Sequence, residues 1–518
     1  MYDTLVYDAV DVVRTPPDKD GYDGLLVYSW VLEGKEDGEE VVLECESFVR
    51  FVWPSSNSGD DGDDDGDDDG DGDGDDHDEG DDHDSGDDHD EVEGLEKAAF
   101  HLGMAILPNI YMGFAPPTIV VRAHTLTLEE VTYWTDEYRG CFAEFFFLLS
   151  SPPPTSPAPT SGVAVTYAGD PENWFSLHPS NASSSCASDS EMETEVGGRV
   201  LVPLGGGKDS ITAFYLLQEA YPDKELGWFY LGDGFGEFDE SWRLASIVET
   251  SGAPVVVMEG VFTDGQWEEA SIYDQDVMPW ALMATHAAVF AALLHGYDSV
   301  ALGHERSCNF GNGVFVDGLE VNHQYDKSAA SVAATSALVQ RSLGVQVWSP
   351  LSPLWETQIM ALFVAYAPPI LLRVFISCNL SPDESGTRWC GVCPKCLFVF
   401  ALVSAFAPHP ADAWALFGDN AFALPDNVCG YQALLGLGEH NKPLECVGTP
   451  AEVAFSLSLA TLNYRLASLP IPYVLQSLAP HLEVSSTGHL TDLLSNTVPP
   501  SFESFLATTA LPSLPNTV

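Results

Sequence analysis

Four short runs carry residues whose types and spacing could do chemistry. The first is Gly205, Gly206, Gly207, Lys208, Asp209 and Ser210. Three successive glycines let backbone N–H groups approach an anion closely, and a helix opening behind them adds unpaired donors and partial positive charge. That is chemistry for binding phosphate. The run is not a Walker loop, which would need Gly where Val202 stands and Ser or Thr where Asp209 stands, and it is not a G-x-G-x-x-G fingerprint either.

The second run is Gly303, His304, Glu305, Arg306, Ser307 and Asn309, and the third is His323, Gln324, Tyr325, Asp326, Lys327 and Ser328. His, Glu and Arg in succession are costly at a ligand-facing position unless used, although Glu305 and Arg306 could form an ordinary ion pair with His304 packed beside it. Ser328 or Asp326 could cap a helix. In a chain with only 19 Lys plus Arg, Arg306 and Lys327 are the natural partners of anionic substrates. His304 and Lys327 are the candidates for moving a proton, and Arg306 for holding a carboxylate or phosphate.

The fourth run is Cys390, Cys393 and Cys396 at C-x-x-C-x-x-C spacing, with Cys378 upstream. Four thiolates suit a tetrahedral, structural zinc ion. A ferredoxin-type run would place a fourth cysteine at position 400, where Phe400 stands, and thiols without metal are the remaining alternative.

These runs need elements to position them. From residue 199 the pattern alternates between apolar strands and helices: strands at 199–204, 226–231, 254–258 and 299–302, helices at 210–220, 239–250 and 279–294. Continuous apolar strands separated by helices predict a parallel sheet covered on both faces, with ligands at the carboxyl ends of its strands. The glycine run follows the first of these strands and His304 to Arg306 follow the last, so both belong at that edge. Upstream, 25–32, 40–52 and 118–122 read as strands and 95–112 as a helix.

The fold expected is α/β. An α+β region at 1–150 contains a disordered acidic insertion at 55–93, a Pro/Ser-rich linker follows at 151–196, a catalytic nucleotide-binding domain spans 197–400, and a helical region spans 401–518. The insertion carries His77, His83 and His89 at a six-residue repeat, but lacks EF-hand spacing and reads as a solvated charged loop.

The order of the glycine run resembles the S-G-G-x-D-S loop of the PP-loop ATP pyrophosphatases, adenine nucleotide alpha hydrolase-like proteins, with Gly205 in place of the first Ser. The phrases VPLGGGKDS, ALGHERSCNFGN, HQYDKS, SPLSPLWE and RWCGVCPKC, with HLGMAILPNIYMGFAPP upstream, resemble the UDP-N-acetylmuramoyl-L-alanyl-L-glutamate epimerases, the MurL family. The resemblance implies inversion of the terminal L-glutamate of a nucleotide-sugar peptide while ATP becomes AMP and diphosphate. It further implies that Gly205 to Ser210 handle the pyrophosphate and its Mg2+, with Asp209 orienting a metal-bound water and Lys208 either on phosphate or in solvent. His304, Glu305, Arg306 and Lys327 would then manage the α carbon. The 7-cyano-7-deazaguanine synthases share the loop and a comparable cysteine cluster, but lack the other phrases.

Bulk properties narrow the class. The chain has 79 acidic against 19 basic residues, and 22 of the acids lie between Asp60 and Glu93. Even without that tract the balance is negative, which disfavours a nucleic-acid partner and a tRNA-modifying role. No apolar run reaches the roughly 18 residues of a membrane span, and no secretory or transit composition opens the chain. Ten cysteines in 518 residues, four of them at metal-ligand spacing, suit a reducing, cytoplasm-like compartment. A plastid would fit if the gene is eukaryotic.

Overall fold

The computed structural model describes residues 2–36, 38–54, 87–150, 175–179, 182–183, 198–234, 236–263, 265–273, 277–378, 380, 388–438 and 440–482. Most of the expected insertion and linker, and the chain beyond 482, lie outside the described residues.

Ten strands form one sheet. In chain order they are β1 (Tyr2–Arg14), β2 (Gly24–Glu36), β3 (Glu39–Phe51), β4 (Thr118–Val121), β5 (Ser176–Pro179), β6 (Arg199–Pro203), β7 (Glu225–Asp233), β8 (Val255–Val261), β9 (Ser299–Ala301) and β10 (Gln346–Trp348). Their spatial order is β10-β9-β6-β7-β8-β3-β2-β1-β4-β5. Strands β10, β9, β6, β7 and β8 run parallel, as the alternating pattern predicts. The antiparallel strands β1, β2 and β3 continue this sheet through β3 and β8.

That continuity differs from the separate N-terminal region expected from sequence. The join is built on a buried ion pair: Arg50 and Glu259 face each other in register, and Arg50 Nη2 meets Glu259 Oε2 at 2.6 Å. Arg50 Nη1 also reaches Asp18 at 2.9 Å and Asp20 at 3.1 Å. Beyond the join, Leu26, Tyr28, Trp30 and Leu32 alternate along β2 and are wholly buried, forming one face of a core.

The main helices are α1 (Asp87–Met112), α2 (Leu128–Ser150), α3 (Lys208–Ala220), α4 (Trp242–Ser251), α5 (Trp280–Leu294), α6 (Ala329–Leu343), α7 (Glu356–Tyr366), α8 (Pro394–Phe406) and α9 (Pro450–Leu466). Helix α1 starts at Asp87, so the acidic residues 87–93 belong to it rather than to an insertion. Strand β5 likewise lies inside the expected linker, and Phe175 beside it is buried against Phe142. Helix α8 runs across position 400, so the division expected there falls within a helix.

Helix α5 packs on α1, and His286 on α5 is buried beneath Tyr133 of α2. The Tyr133 hydroxyl lies 3.2 Å from His286 Nε2 and 2.8 Å from Thr335 Oγ1. Burial, followed by the charge of His101, pushes His286 down to about 3 from 6.5. Its lowered folded-state value makes the unfolded chain bind more protons as pH falls below 6.5, so stability is lost from there toward 3. At pH 5 the expected loss is about 2 kcal/mol. Thermal unfolding between pH 7 and pH 5 checks this, with a shallower decline expected for His286→Gln. An equal decline in both proteins would remove His286 as the cause.

No helix among the described residues is long and apolar enough to cross a membrane.

Candidate active site

The glycine run lies between β6 and α3, at the carboxyl edge of the parallel strands. Gly206 has φ +70°, a left-handed turn that favours glycine, and Gly207 caps α3 without a side-chain bond to its first N–H groups. The Gly206 carbonyl accepts from the Ile376 N–H at 2.9 Å, so the segment just before Cys378 leans on the loop. From β9, Gly303 comes so close that a Cβ there would lie 3.1 Å from the Ser210 nitrogen. The loop and the second run are thereby packed backbone to backbone.

Between them is a cavity of about 380 Å3, lined by Gly205, Gly207, Lys208, Asp209, Ser210, His304, Glu305, Lys327 and Glu356 among others. Lys208 is 4% exposed, which removes the solvent-facing alternative. Its ammonium lies 2.8 Å from Asp209 Oδ1 and pairs with Glu356. Burial alone would discharge Lys208, but Asp209, Glu356 and Glu305 together hold it charged, well above its usual range. Burial raises the Glu305 carboxyl, as does the charge of Asp209. Glu356 is raised further, by burial against the opposing pull of Lys208.

Ligand oxygens of Asp209, Glu305 and Glu356 lie within 4.8 Å of one another. Three hard oxygen donors beside a phosphate-type loop fit a divalent cation such as Mg2+. Glu356 was not singled out in sequence. It lies in the SPLSPLWE phrase, and only the fold brings it to the loop, from the first turn of α7.

The second run divides. His304 and Glu305 face the cavity, whereas Arg306 lies with its guanidinium 4.6 Å over the Trp355 ring and is not among the lining residues. Asn309 Oδ1 accepts from the Ala329 N–H at 2.8 Å, tying this run to the start of α6. His304 Nδ1 is buried with no hydrogen-bond partner among the described residues. Burial, then the charge of Lys327, pushes His304 down to about 3, so it is neutral near pH 7.

The third run also divides. Asp326 Oδ2 accepts from the N–H groups of Ala281 at 2.8 Å and Leu282 at 3.2 Å, so it caps α5, while Ser328 caps α6 by accepting from Ser331 at 3.2 Å. Lys327 reaches the cavity. Burial would discharge it, but Cys446 and Asp326 hold its pKa well above the usual range. Neither His304 nor Lys327 therefore titrates near neutrality, contrary to the tuning expected from their types.

Cys378, Cys390, Cys393 and Cys396 converge, with all four sulfurs within 4.8 Å of one another. Cys390 Sγ and Cys396 Sγ are 3.6 Å apart, close to the roughly 3.8 Å edge of a tetrahedron with zinc–sulfur bonds of about 2.3 Å. Backbone N–H groups of Cys390, Cys393 and Cys396 donate to neighbouring sulfurs at 3.3–3.4 Å, which favours thiolate charge. The four sulfurs fit one tetrahedral ion. Lys395, between two of them, lines the cavity.

Residues 166–348 match the model of the MurL N-terminal domain and residues 374–487 that of the MurL C-terminal domain, together 297 of the 518 residues. The chain is 33% identical over 260 residues to the UDP-N-acetyl-alpha-D-muramoyl-L-alanyl-L-glutamate epimerase of Xanthomonas oryzae pv. oryzae, covering 49% of this chain and 54% of that protein. Proteins of the same description from Salinispora tropica and a Micromonospora species are 29% and 28% identical, over 51% and 56% of this chain and 56% and 63% of theirs. The match thus spans little more than half the length of these relatives. Among solved structures, the U34-tRNA thiolase NcsA from Methanococcus maripaludis with its 4Fe-4S cluster is 15% identical, covering 43% of this chain and 70% of that one, with a TM-score of 0.25. A likeness that weak supports nothing about this chain.

Proposed function

Because the chain belongs to the MurL family, we propose that it uses ATP to invert the terminal L-glutamate of UDP-MurNAc-L-Ala-L-Glu, through an acyl-adenylate, as a step in peptidoglycan precursor synthesis. One observation carries the reading of the chemistry: the phosphate-type loop, three convergent carboxylates and the Lys327 ammonium line a single cavity.

The fold type proposed is that of the PP-loop ATP pyrophosphatases. Backbone N–H groups of Gly205 to Gly207, the N-terminus of α3 and the Ser210 hydroxyl receive the diphosphate end of ATP. Asp209, Glu305 and Glu356 would hold Mg2+, which when bound neutralises phosphate charge. Glu305 thus moves from the α-carbon group expected in sequence to the nucleotide group. Lys208, charged and enclosed by these acids, keeps their mutual repulsion in check.

Lys327 presents a fixed positive charge to the glutamyl carboxylate. Adenylation matters because removing the α proton beside a free carboxylate would place negative charge next to negative charge. Once the carboxylate is adenylated, its carbonyl can accept the developing charge as an enolate. Water then releases AMP and the D-glutamyl product. The substrates are small nucleotides, and no nucleic-acid or membrane partner is part of this reading. Their chemistry suits the cytoplasm.

The test is incubation with ATP, Mg2+ and UDP-MurNAc-L-Ala-L-Glu. D-glutamyl product with AMP and diphosphate is expected, and inversion without ATP, or ADP as product, would refute it. The cysteine cluster beside the loop favours a second reading, a carboxylate-adenylating ligase like the 7-cyano-7-deazaguanine synthases. That reading requires AMP release with a different acid.

The four cysteines are proposed to hold a structural zinc ion that fixes the 376–377 segment against the loop. Cys393→Ser is expected to lose close to one zinc per chain, lower the melting temperature by roughly 5 °C and weaken ATP binding. Metal analysis with thermal unfolding checks this, and unchanged stability after chelation would return these residues to plain core thiols.

A further inference from the structure

A second cavity, of about 270 Å3, adjoins the first and shares Trp280, Ala281, Lys327, Lys395 and Cys446 with it. Cys446 lies on the wall common to both. Lys327 Nζ donates to Cys446 Sγ at 3.0 Å. On another side His323 also lines the second cavity and interacts with the same sulfur, and its Nδ1 lies 2.8 Å from Glu144 Oε2. The arrangement Glu144, His323, Cys446, Lys327 comes from three separate stretches of chain. None of the motifs read in the sequence includes Cys446.

Burial alone would raise the Cys446 thiol, but Lys327, Lys395 and the His323 hydrogen bond hold it well below its usual range. His323, opposed by burial but bonded to Cys446 and Glu144, is pushed up to about 10 and stays an imidazolium. The sulfur is therefore an anion at neutral pH, carries no proton, and is reached from a cavity whose other end holds the phosphate-type loop. Neither His304, which is neutral, nor Lys327, which is already protonated, offers an anionic base there. Desolvation strongly disfavours a buried thiolate unless its surroundings are arranged for it. Such arrangements concentrate at sites of chemistry.

We propose that Cys446 Sγ is the base that removes the α proton of the activated glutamyl group, with His323 and Glu144 as positioning residues. This rests on the epimerase reading above. The Cα–H bond breaks, its electron pair moves into the acyl carbonyl as an enolate, and the proton becomes the thiol S–H. A water molecule entering the cavity then gives up a proton to the opposite face as the enolate reforms the carbonyl, while Lys327 stays charged beside the sulfur. The hydroxide left behind takes the thiol proton, which restores the thiolate and water. In this arrangement the glutamyl end lies at the shared wall, and the peptide leading to it enters through the second cavity.

The test uses the full chain with UDP-MurNAc-L-Ala-L-Glu, ATP and Mg2+ in deuterated water. For Cys446→Ser, AMP release is expected to stay within about tenfold of the parent, while D-glutamyl formation and α-deuterium uptake fall about 100- to 10,000-fold, the range of a lost general base. Inversion that persists in this variant, or that falls only in proportion to AMP release, overturns the proposal. So does an acyl-thioester on Cys446 in the intact mass of the parent, which would make the sulfur a nucleophile. A parent protein that neither releases AMP nor inverts this substrate would instead sink the epimerase reading itself.

A second measurement does not depend on turnover or on a folded variant. Iodoacetamide at pH 7, with labelled peptides identified by mass, is expected to modify Cys446 at least about tenfold faster than the exposed Cys429, and more slowly once substrate and ATP are present. Cys429 reacting first, with no protection of Cys446 by substrate, would contradict a substrate-facing thiolate.

Discussion

Asp209→Asn is expected to lower AMP release about 100- to 1000-fold while the protein stays folded, an effect the size of losing one preorganised electrostatic group. Asp209 is the only one of the three carboxylates that belongs to the phosphate-type loop itself, and it supplies an oxygen both to the convergent acidic group and to Lys208. Asparagine keeps the shape but removes the charge, so cation affinity and the balance around Lys208 change together. The fold should survive because the side chain is 30% exposed and Lys208 keeps its pairing with Glu356. AMP release at saturating Mg2+, with circular dichroism as the control for folding, checks this. Turnover near that of the parent would remove Asp209 from the nucleotide site.

The second large effect concerns stability. Arg50→Met leaves the Glu259 carboxylate, 2% exposed, without its cation at the point where the antiparallel strands meet the parallel ones. Removing one partner of a buried pair costs about 3–5 kcal/mol, most of it the penalty of an uncompensated charge. Glu259 would still accept from the Gly236 N–H at 3.0 Å, but from no cation facing it across the strands. Replacing both partners with methionine should recover most of the loss, because apolar side chains of similar volume avoid that penalty. Denaturant unfolding of the single and double variants distinguishes the cases. A single variant within about 1 kcal/mol of the parent would fit a solvated pair instead, and would show that β3 and β8 are held together by other contacts.

The phosphate-type loop was legible in sequence because its chemistry is contiguous: three glycines, a polar run and a helix behind a strand. The parallel strands were legible for a similar reason, since each is an apolar run bounded by turns. What sequence could not supply was long-range assembly. Glu356 joins Asp209 and Glu305 only because α7 starts beside the loop, and Cys446 meets Lys327 and His323 through folding of a segment that has no pattern of its own.

Arg306 shows the opposite error. Its type and neighbours suggested an anion site, yet the flat guanidinium lies on Trp355 instead of lining the cavity. Asp326 was read as a possible cap of the helix behind it, but it serves the N–H groups of α5, a role visible only once α5 and that loop are in contact. The strand 176–179 lies in a Ser- and Pro-rich stretch whose composition reads as linker, and it is defined by pairing with β4, not by its own propensity.

Adenylation is the central claim, and oxygen labelling tests it most directly. With both α-carboxylate oxygens of the glutamyl substrate carrying 18O, attack on the α phosphorus of ATP followed by water at the acyl carbon leaves one labelled oxygen in each AMP. The account predicts AMP heavier by one 18O, formed alongside D-glutamyl product in ordinary water. Unlabelled AMP from the labelled substrate, with the new phosphate oxygen drawn from water instead, would contradict it.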